Sequence, residues 1–518
     1  MSAKTRYDIL SSDRSQYLNT ADEASKLTIP YLIDQTEDSV GKRVTKTPWQ
    51  SVGAKGVVTL SAKLMMSLLP PQTSFFKLQV DETKLGEYGP EVKSELDLAF
   101  AKVERVILEA IAASDDRVTV HQAMKHLVVA GNALIFMGKN GLKLFPLNRY
   151  VISRDGNGNV LEIITKEKIA KKLIEGIVPD LKEDKMDGTK DDDSKDCDVY
   201  THVKVDGNKV IWHQEVYDKI IPKSQSKAPL NITPWLPLRF NVVDGEDYGR
   251  GRVEEFMGDL KSLEALSQAL VEGSAAAAKV VFTVSPSSST KPQTLASAGN
   301  GAIIQGRPDD IGVVQVGKGA DFQTAFAATG TIEKRLSEAF LILNVRQSER
   351  TTAEEVRMTQ MELEAQLGGL FSLLTVEFLV PYLDRKLAVM QKNGSIPRIP
   401  KDVVKPTIVA GINALGRGQD RESLTMFMQT IAQTVGPEAM MNFINPDEVI
   451  KRLAAASGID VLNLVKSMQE IQGQQQQQMQ QQMAMQEQQQ APAMAAVEQK
   501  QTQAEMQMAM QAQQQSPQ

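Results

Sequence analysis

Apolar residues recur every three or four positions in the first third of the chain, which is the spacing of one buried helix face. One stripe runs from Trp49 to Leu68, where Pro70-Pro71 ends it, and Thr47-Pro48 has the residue types of an N-cap and a first helical position. A second stripe runs from Val92 to Ile111, and a third helix is predicted from Asp115 or Asp116 to Ala130. The pattern therefore predicts three packed helices.

The period then changes to two, which is the spacing of a half-buried β-strand. Asn-Gly and Asp-Gly pairs between the alternating segments supply the positive φ angles of tight turns. The predicted hairpins are Ala133–Gly138 with Leu142–Pro146, Tyr150–Ser153 with Val160–Thr165, and Val199–Val205 with Lys209–Tyr217. We expect an antiparallel sheet between about residues 133 and 243, with a charged, mobile loop at Leu181–Asp198.

A helix, a short irregular module and a second helix come next. Tyr248–Arg252 leads into a helical pattern that reaches about residue 280, which at ~1.5 Å per residue makes a rod of roughly 45 Å. Residues 281–318 have no helical period and contain short strand-like runs. A helical pattern resumes from about Phe322 to Leu343. This order predicts a helical hairpin whose two arms enclose a small strand-and-loop module.

A polar link at Asn344–Arg350 separates this hairpin from another helix. Thr352 and Glu355 have the spacing of a capping box, which satisfies the free N–H groups at a helix start. The stripe of the helix that follows runs from Leu363 to Phe378, and Gly368-Gly369 within it predicts a bend.

The last quarter of the chain becomes polar. Short helices are predicted from Pro406 to Ile471, and the Gln-, Met- and Ala-rich tail after Gln472 has no sustained heptad. The tail is therefore predicted to be disordered or to depend on assembly for its structure. A length of 518 residues allows two to four cores. Together the patterns predict a mixed α+β, predominantly helical protein.

The balance of acidic and basic residues limits the kinds of molecule that the whole protein surface could bind. Lys and Arg total 58 against 64 Asp and Glu, a net charge of −6, which argues against a protein whose whole surface binds nucleic acid. The one cysteine, Cys197, lies in an acidic run typical of a solvated loop and cannot form an intrachain disulfide, which favours the reducing cytoplasm. Neither a signal peptide nor a membrane span is expected.

Catalytic signatures are missing from the sequence. It contains no G-x-x-x-x-G-K-[ST] phosphate loop, no G-x-S-x-G elbow and no H-E-x-x-H pair. Ser288–Lys291 fits S-x-x-K by spacing alone, without the partner motifs. His121 and His126 are five residues apart, a poor spacing for metal binding on a helix, and these two, His202 and His213 are predicted to be structural or surface histidines. We therefore expect no enzyme, no cofactor and no metal.

A series of short blocks resembles a known family. The blocks are Thr47–Gly56, Leu60–Met65, Pro70–Thr73, Leu127–Asn132, Asp247–Arg250, Gly258–Glu264, Gly306–Ile311, Glu349-Arg350, Thr352–Glu355, Leu367–Gly369 and Gly416–Asp420. In this order, over roughly residues 5–460, they closely resemble the head-to-tail connector (portal) protein of short-tailed phages. The Gln-rich tail and a shorter link before Thr352 depart from the family pattern.

The resemblance implies a portal-type fold, in a ring of typically twelve subunits. Its parts would be a wing of helices and antiparallel sheet (1–247) with a long helix (352–395), a helical-hairpin stem (248–280 and 319–343), a small α/β clip (281–318), a tunnel loop (344–351), a helical crown (396–471) and the Gln/Met-rich tail (472–518). The helical hairpin and small module found from the hydrophobic pattern coincide with this stem and clip.

The resemblance also implies a channel at one capsid vertex, through which double-stranded DNA is packaged and ejected. DNA carries one charge per ~1.7 Å of its axis, so a strongly cationic wall would hold it. The acidic balance of the chain is compatible with a wall that confines DNA without binding it. A DNA-binding or tail-adaptor structural protein of the virion without a channel role, and a hydrolase with a non-obvious site, are the alternatives.

Several polar residues are singled out by this comparison. The tunnel-loop residues expected to face DNA are Arg346, Gln347, Ser348 and Arg350. The alternative is that the two arginines pair with Glu349, Glu354 or neighbouring subunits. Candidate channel or inter-subunit charges are Lys279, Lys318, Lys334 and Arg335. The last two are equally typical of an ordinary exposed helix face.

The expected partners follow from the same resemblance. They are further copies of the chain, double-stranded DNA in transit, the large terminase subunit (the packaging ATPase), tail adaptor or tail tube proteins, the major capsid and scaffolding proteins, and internal core proteins. No membrane partner is expected. The expected location is the portal vertex of the virion, after assembly in the host cytoplasm.

Overall fold

The computed structural model comprises two units, Met1–Ala414 and Leu415–Gln518. The residues it describes are 1–33, 46–70, 75–80, 90–139, 141–175, 196–277, 281–287, 291–299, 302–305, 307, 309, 311–314, 319–342, 368–397, 404–408, 417–434, 436, 449 and 500–510. Within these residues, no helix combines the length and the apolar character needed to cross a bilayer.

Helices make up most of the described chain. In chain order they are α1 (Ala3–Leu27), α2 (Val52–Leu68), α3 (Pro90–Ala112), α4 (Asp116–Ala130), α5 (Lys171–Glu175), α6 (Arg252–Glu255), α7 (Met257–Ala277), α8 (Pro292–Ser297), α9 (Gly319–Ala339), α10 (Val380–Lys392), α11 (Arg417–Thr434) and α12 (500–510). Helical residues 368–374 lead into α10 through a π-helical turn at Thr375–Leu379.

The described strands pair antiparallel in four sheets. They are β1 (Phe76–Val80), β2 (Asn132–Gly138), β3 (Gly141–Phe145), β4 (Tyr150–Arg154), β5 (Val160–Ala170), β6 (Asp196–Asp206), β7 (Lys209–Val216), β8 (Lys219–Ile220), β9 (Ser226–Pro229), β10 (Trp235–Arg239), β11 (Val281–Val284), β12 (Ile311–Val314) and β13 (Val404–Ile408). The sheets are β1–β13, β10–β2–β3, β11–β12, and β4 to β8 in order with β9 on β7. The predicted mixed α+β class is confirmed.

The three predicted N-terminal helices form, and their apolar stripes lie in the main core. Leu60, Leu64 and Leu68 of α2 are at most 1% exposed, and α2 packs on α4. In α3 the stripe buries Phe100, Val103, Ile107 and Ile111. Full burial of one such side chain contributes about 1.5–3 kcal/mol. The local pattern of apolar residues therefore determines which segments are helical, and packing between the helices stabilises them.

The start of α2 differs from the prediction. The helix begins at Val52, with Ser51 as its N-cap residue, and not at Thr47-Pro48. The backbone N–H groups of Trp49 and Gln50 donate to the carboxylate of Glu264, at 2.9 and 3.2 Å. These bonds to a distant carboxylate hold residues 49 and 50 outside the helix.

The expected antiparallel sheet between residues 133 and 243 is two sheets. All three predicted hairpins form, but β3 and β4 are separated by Pro146 and a 3₁₀ turn at Leu147–Arg149, so β4 starts a second sheet. β10 then returns to pair with β2 in the first sheet, with Trp235 opposite Phe136.

Cys197 is not in a solvated loop. It lies in β6, opposite Ile169 of β5, and is 4% exposed. Its apolar neighbours, among them Val199 and Val216, form a small separate cluster. Burial raises the pKa of the thiol. Of the predicted loop, 181–195 lies outside the described residues, and Asp196–Asp198 begins a strand because this alternating segment pairs with β5.

Part of the predicted crown is a strand of the first unit. Val404–Ile408 was expected at the start of a helical region, but as β13 it pairs with β1, with Phe76 opposite Ile408 and Val80 opposite Val404. Phe76 is fully buried. The partner strand lies more than 300 residues earlier in the chain, so no local pattern marks this pairing.

The second unit has two described helices. α11 exposes Met426 and Phe427. In the tail predicted to be disordered or assembly-dependent, residues 500–510 are helical and exposed throughout, including Met506 and Met508. Ala, Gln, Met and Lys are strong helix formers, so intrinsic propensity accounts for this short helix. The rest of the tail lies outside the described residues.

Acid pH should destabilise the first unit through His126. This α4 residue is 7% exposed, its Nδ1 atom has no hydrogen-bond partner, and burial next to Lys125 lowers its pKa to about 4. The unfolded chain, with a pKa near ~6.5, takes up the proton first. The contribution is therefore complete above about pH 6.5 and falls as the pH drops towards 4, by about 3 kcal/mol in all.

Urea unfolding at several pH values checks this prediction. In His126→Leu the unfolding midpoint should depend less on pH between about 4 and 6.5 than in the wild type. Trp49, Trp212 and Trp235 are the only tryptophans and all lie in the first unit, so tryptophan fluorescence follows that unit alone. Equal acid sensitivity in both proteins would contradict the assignment to His126.

Candidate channel element: the helical hairpin and its anchors

The two arms of the predicted stem pack against each other along their length. Leu260 and Leu263 of α7 and Leu336 of α9 are fully buried. Gly273 permits a close approach, because a Cβ there would lie only 2.7 Å from Cε1 of Phe322. The arms therefore meet through apolar contact.

The first arm starts later than predicted and is interrupted. Residues 248–251 are not helical, because Arg250 and Asn241 exchange backbone hydrogen bonds of 2.9 and 3.2 Å in a β-bridge. Helix α6 runs from Arg252 to Glu255, and after its C-cap residue Phe256 helix α7 begins at Met257. The bridge fixes the base of the arm to the chain that leads into it.

The module between the arms is small and has little burial of its own. β11 pairs with β12, with Val281 opposite Val314, and the short helix α8 has Pro292 at its first position. Ile303 is fully exposed. The described part of residues 281–318 is thus a two-stranded ribbon with one short helix. The sequence pattern predicted short strands here but no helix.

The root of the hairpin is a close contact between two blocks that are far apart in sequence. Asn132 Nδ2 donates to the carbonyl of Gly249 at 2.7 Å, and the Gly249 N–H donates back to Asn132 Oδ1 at 2.8 Å. Gly131 has φ +72°, and a Cβ on it would lie 2.4 Å from the carbonyl carbon of Arg250. Only glycine allows the two backbones this close.

The block Asp247–Arg250 is also tied to the six-stranded sheet. The Ile152 N–H donates to the Tyr248 hydroxyl at 3.1 Å, and the Arg154 N–H donates to Asp247 Oδ1 at 2.7 Å. Tyr248 is 2% exposed, and burial raises its pKa far above the usual range. The base of the first arm is therefore held by two sheets, the one that contains β2 and the six-stranded one that contains β4.

The second arm ends in a buried reversal just before the predicted tunnel loop. Helix α9 stops at Ala339 rather than near residue 343, because Leu341 adopts φ +56° and the Ile342 N–H donates to the Ser337 carbonyl at 2.7 Å. This is the hydrogen bond of a Schellman-type C-cap, formed without glycine at the left-handed position.

Helix α2 holds this reversal in place. Phe340 is fully buried and packs so closely on α2 that a Cβ on Gly56 would lie 2.6 Å from its ring. Lys63 Nζ donates to the Leu341 carbonyl at 2.6 Å, and burial lowers the pKa of Lys63. Arg252 Nη2 donates to the Ala339 carbonyl at 3.2 Å. Both arms are thus anchored to the first unit at neighbouring points.

The chain that follows the predicted tunnel loop is anchored by a buried ion pair. Glu377 lies in the π-helical turn, and Arg239 donates to its carboxylate from the backbone N–H (2.8 Å), Nε (2.9 Å) and Nη2 (2.6 Å). The two side chains are only 9% and 12% exposed. The predicted bend was at Gly368-Gly369, but residues 368–374 are helical and the irregular turn comes later, at Thr375–Leu379.

A second buried acid fixes α10. Asp116, at the start of α4 and 1% exposed, accepts from the Tyr382 hydroxyl at 2.6 Å and from Lys386 Nζ at 2.8 Å. Helix α10 is thereby joined to α4, and the π-helical turn before it is joined to β10 through Glu377. Both flanks of 343–367 are thus fixed in the same unit.

The candidate charges are only partly described. Lys334 and Arg335 are exposed on α9, and Arg335 Nη2 donates to Asp259 Oδ1 of α7 at 3.1 Å. Exposed pairs of this kind contribute about 0–1 kcal/mol. The remaining candidates lie outside the described residues: Lys279, Lys318, Arg346, Gln347, Ser348 and Arg350.

The sequence patterns did not predict two groups of residues that the structure brings together. The pair Arg239–Glu377 joins residues 138 apart, and no sequence signal links them. Of the described residues, His202, His213 and Glu215 also converge as potential metal ligands on the six-stranded sheet. The turn at residues 206–209 sets the register that places His202 opposite His213, so hairpin register, rather than helical spacing, is the signal that could have found them.

Comparison with known families identifies the class of protein. A family model described as bacteriophage head to tail connecting protein matches residues 1–464, so the chain belongs to this family. It is 38% identical over 481 residues to the portal protein of Enterobacteria phage T3, covering 91% of this chain and 89% of that one. With the portal protein of Escherichia phage T7 it shares 36% over 490 residues, again 91% and 89%.

More distant relatives and solved structures are similar as well. The portal protein of Enterobacteria phage SP6 is 30% identical over 429 residues, covering 82% of each chain. The neck of an empty gene transfer agent particle aligns over 79% of this chain and 90% of its own at 12% identity and a TM-score of 0.35. The family resemblance deduced from the sequence blocks is confirmed, and with it the function of a phage portal, or head-to-tail connector.

Proposed function

We propose that about twelve copies of this chain close into a ring at one capsid vertex, and that double-stranded DNA passes through its centre during packaging and ejection. The observation that carries this proposal is the helical hairpin α7–α9. Both of its arms are fixed at their bases in the first unit, by Asn132–Gly249 and by Phe340–Gly56. Helices rooted in this way can line a bore side by side.

The parts named in the resemblance are proposed for this chain with adjusted bounds. The stem is α6–α7 and α9, the clip is the β11–β12 module, and the tunnel loop lies within 343–367. The wing takes the helices and sheets up to β10, together with α10 and β13. The crown would then begin after Ala414, where the second unit starts.

The charge of the stem suits a wall that DNA slides past. Helices α7 and α9 contain six acidic and three basic residues, so they lack the cationic excess that binds phosphates firmly. A tunnel loop with Arg346 and Arg350, repeated around the ring, would supply a basic belt. Weak contacts repeated many times would then centre the duplex without holding it.

Mass and shape test the ring. The untagged chain, measured by light scattering, should have roughly twelve times its subunit mass of 56.9 kDa, and negative-stain images should show rings with a central hole. A DNA-binding or tail-adaptor protein without a channel role would instead give a monomer or small oligomer with no hole. That outcome would reject the conduit.

Neutralising the tunnel-loop arginines should reduce DNA packaging or retention while leaving ring assembly intact. The variant is Arg346→Ala/Arg350→Ala, and the readouts are the DNA content of filled heads and the mass of the ring. Lys219→Ala, which removes an exposed cation from β8, outside the hairpin and outside the set of candidate charges, is the matched control. If filling and retention are unchanged in the double variant, the arginines do not face the DNA.

The module between the arms is the proposed docking surface for the large terminase subunit and later for tail adaptor proteins. Its strands β11 and β12 form only a two-stranded ribbon, and such edges accept further strands. The wing and crown would contact the major capsid, scaffolding and internal core proteins. The protein would contribute structure and no catalysis, and would assemble in the host cytoplasm before entering the virion.

A further inference from the structure

Four ionisable side chains lie together on one face of the six-stranded sheet, beneath the first turns of α1. Glu162 comes from β5, His202 from β6, and His213 and Glu215 from β7. His202 and His213 are directly opposite each other in the strand register, with ring centroids 5.5 Å apart. The buried apolar cluster formed by Ala3, Tyr7, Leu10, Val151, Ile164 and Tyr200 includes the first turns of α1 and residues of β4, β5 and β6.

Each carboxylate of the cluster holds one histidine and one group of α1. Glu215 accepts from His213 Nε2 at 2.8 Å and from the Ala3 N–H at 2.6 Å. Glu162 is hydrogen-bonded to His202 Nε2 and accepts from Arg6 Nε at 2.8 Å. His202, Glu162 and Glu215 are all less than 9% exposed. Burial therefore makes the cluster a preorganised site rather than a group of surface residues.

The ligand atoms already converge. One nitrogen from each histidine and one oxygen of Glu215 lie within 4.8 Å of one another. In a tetrahedral zinc site with bonds of about 2.0–2.1 Å, neighbouring ligand atoms are about 3.3 Å apart. The ligand atoms would have to draw closer together as the metal binds. Two imidazoles and one carboxylate, with one open position, match the preference of Zn²⁺ for nitrogen and oxygen ligands.

We propose that His202, His213 and Glu215 form a Zn²⁺-binding site at the junction of α1 with the sheet. Glu162 is bonded to His202 Nε2, so the metal would be held by Nδ1 of that ring. Glu162 then acts as a positioning residue, because a carboxylate bonded to the other nitrogen of a ligating imidazole fixes the orientation and tautomer of the ring. The Ala3 N–H holds the second oxygen of Glu215. The first oxygen, which accepts from His213 Nε2, would exchange that hydrogen bond for a bond to the metal. The metal would join β6 to β7 directly and, through Glu215, fasten the start of α1.

Zinc titration of the untagged full-length chain tests the site. After treatment with a chelator, competition against a chromophoric zinc indicator should show one Zn²⁺ bound per chain. Replacement by Co²⁺ should give the visible absorption of a tetrahedral complex with nitrogen and oxygen ligands. The melting temperature should rise when Zn²⁺ is restored, because the metal binds the folded state.

Matched variants separate this site from adventitious binding. His213→Gln should weaken Zn²⁺ binding by about 100-fold or more, and Glu162→Gln by about 10- to 100-fold as a positioning residue. His121→Gln, on α4, should leave the binding unchanged. Zinc binding that is not stoichiometric, or that persists in His213→Gln, would overturn the proposal and leave two simple ion pairs. If His213→Gln does not fold, as judged by circular dichroism, the Co²⁺ spectrum of the wild type decides: absence of tetrahedral absorption rejects the site.

Discussion

Replacing Arg239 by alanine is expected to lower the free energy of unfolding of the first unit by about 3–5 kcal/mol. The substitution removes two of the three hydrogen bonds to Glu377 and leaves a carboxylate with 12% side-chain exposure without its cation. Urea denaturation followed by tryptophan fluorescence measures this, since every tryptophan lies in that unit.

A surface arginine supplies the control for this prediction. Arg250 pairs with Glu246 and Glu254, but its side chain is 46% exposed, so Arg250→Ala should cost about 1 kcal/mol or less. Removing both buried charges, in Arg239→Met/Glu377→Leu, should recover much of the loss, because no charge is then left unpaired. Equal losses for the two arginines would show that the Arg239–Glu377 pair is not the anchor described above.

Gly131→Ala is expected to destabilise the first unit by about 3–5 kcal/mol, and to release the root of the hairpin. Two costs add in this variant. Gly131 has φ +72°, and the new Cβ would lie 2.4 Å from the Arg250 carbonyl carbon and 2.5 Å from the Gly251 nitrogen. Neither neighbour can move aside as a flexible side chain would, because both are backbone atoms.

A second glycine isolates the effect of the contact. Gly207 also has a positive φ, +55°, but nothing lies within 4 Å of its Cβ position, so Gly207→Ala should cost only about 1–2 kcal/mol. The difference between the two unfolding midpoints measures the backbone approach itself. If Gly131→Ala proves no worse than Gly207→Ala, the close contact between the two blocks does not stabilise the fold.

Local pattern predicted many of the helices and strands, but not α1 (Ala3–Leu27). Other features depend on contacts between residues far apart in the sequence. The stripes of α2, α3 and α4 and the three hairpins were predicted because their periods of 3.6 and 2 are written in neighbouring residues. The true start of α2 depends on Glu264, and β13 depends on a strand near Phe76. The residues around Trp49 do not reveal its contact with Glu264, and the residues around Val404 do not reveal the pairing of β13 with β1.

For the helical hairpin, too, the sequence predicted the elements but not the contacts between them. The helix–module–helix order and the blocks Leu127–Asn132 and Asp247–Arg250 were recognisable, but their meeting at Asn132 and Gly249 required the three-dimensional structure. The cross-strand pair His202–His213 was within reach of sequence reasoning, since the intervening turn determines its register. The pair is not marked by helical spacing, because its two histidines lie on neighbouring strands.

The fixed flanks of the segment 343–367 have a mechanical consequence. Phe340 on one side and Glu377 on the other are both held within the first unit, by α2 and by β10 respectively. A force along the segment would therefore act on two attachment points. The contact of Phe340 would pass its part of the force to helix α2, and the ion pair of Glu377 would pass the other part to strand β10. The load is therefore shared between helices and sheet.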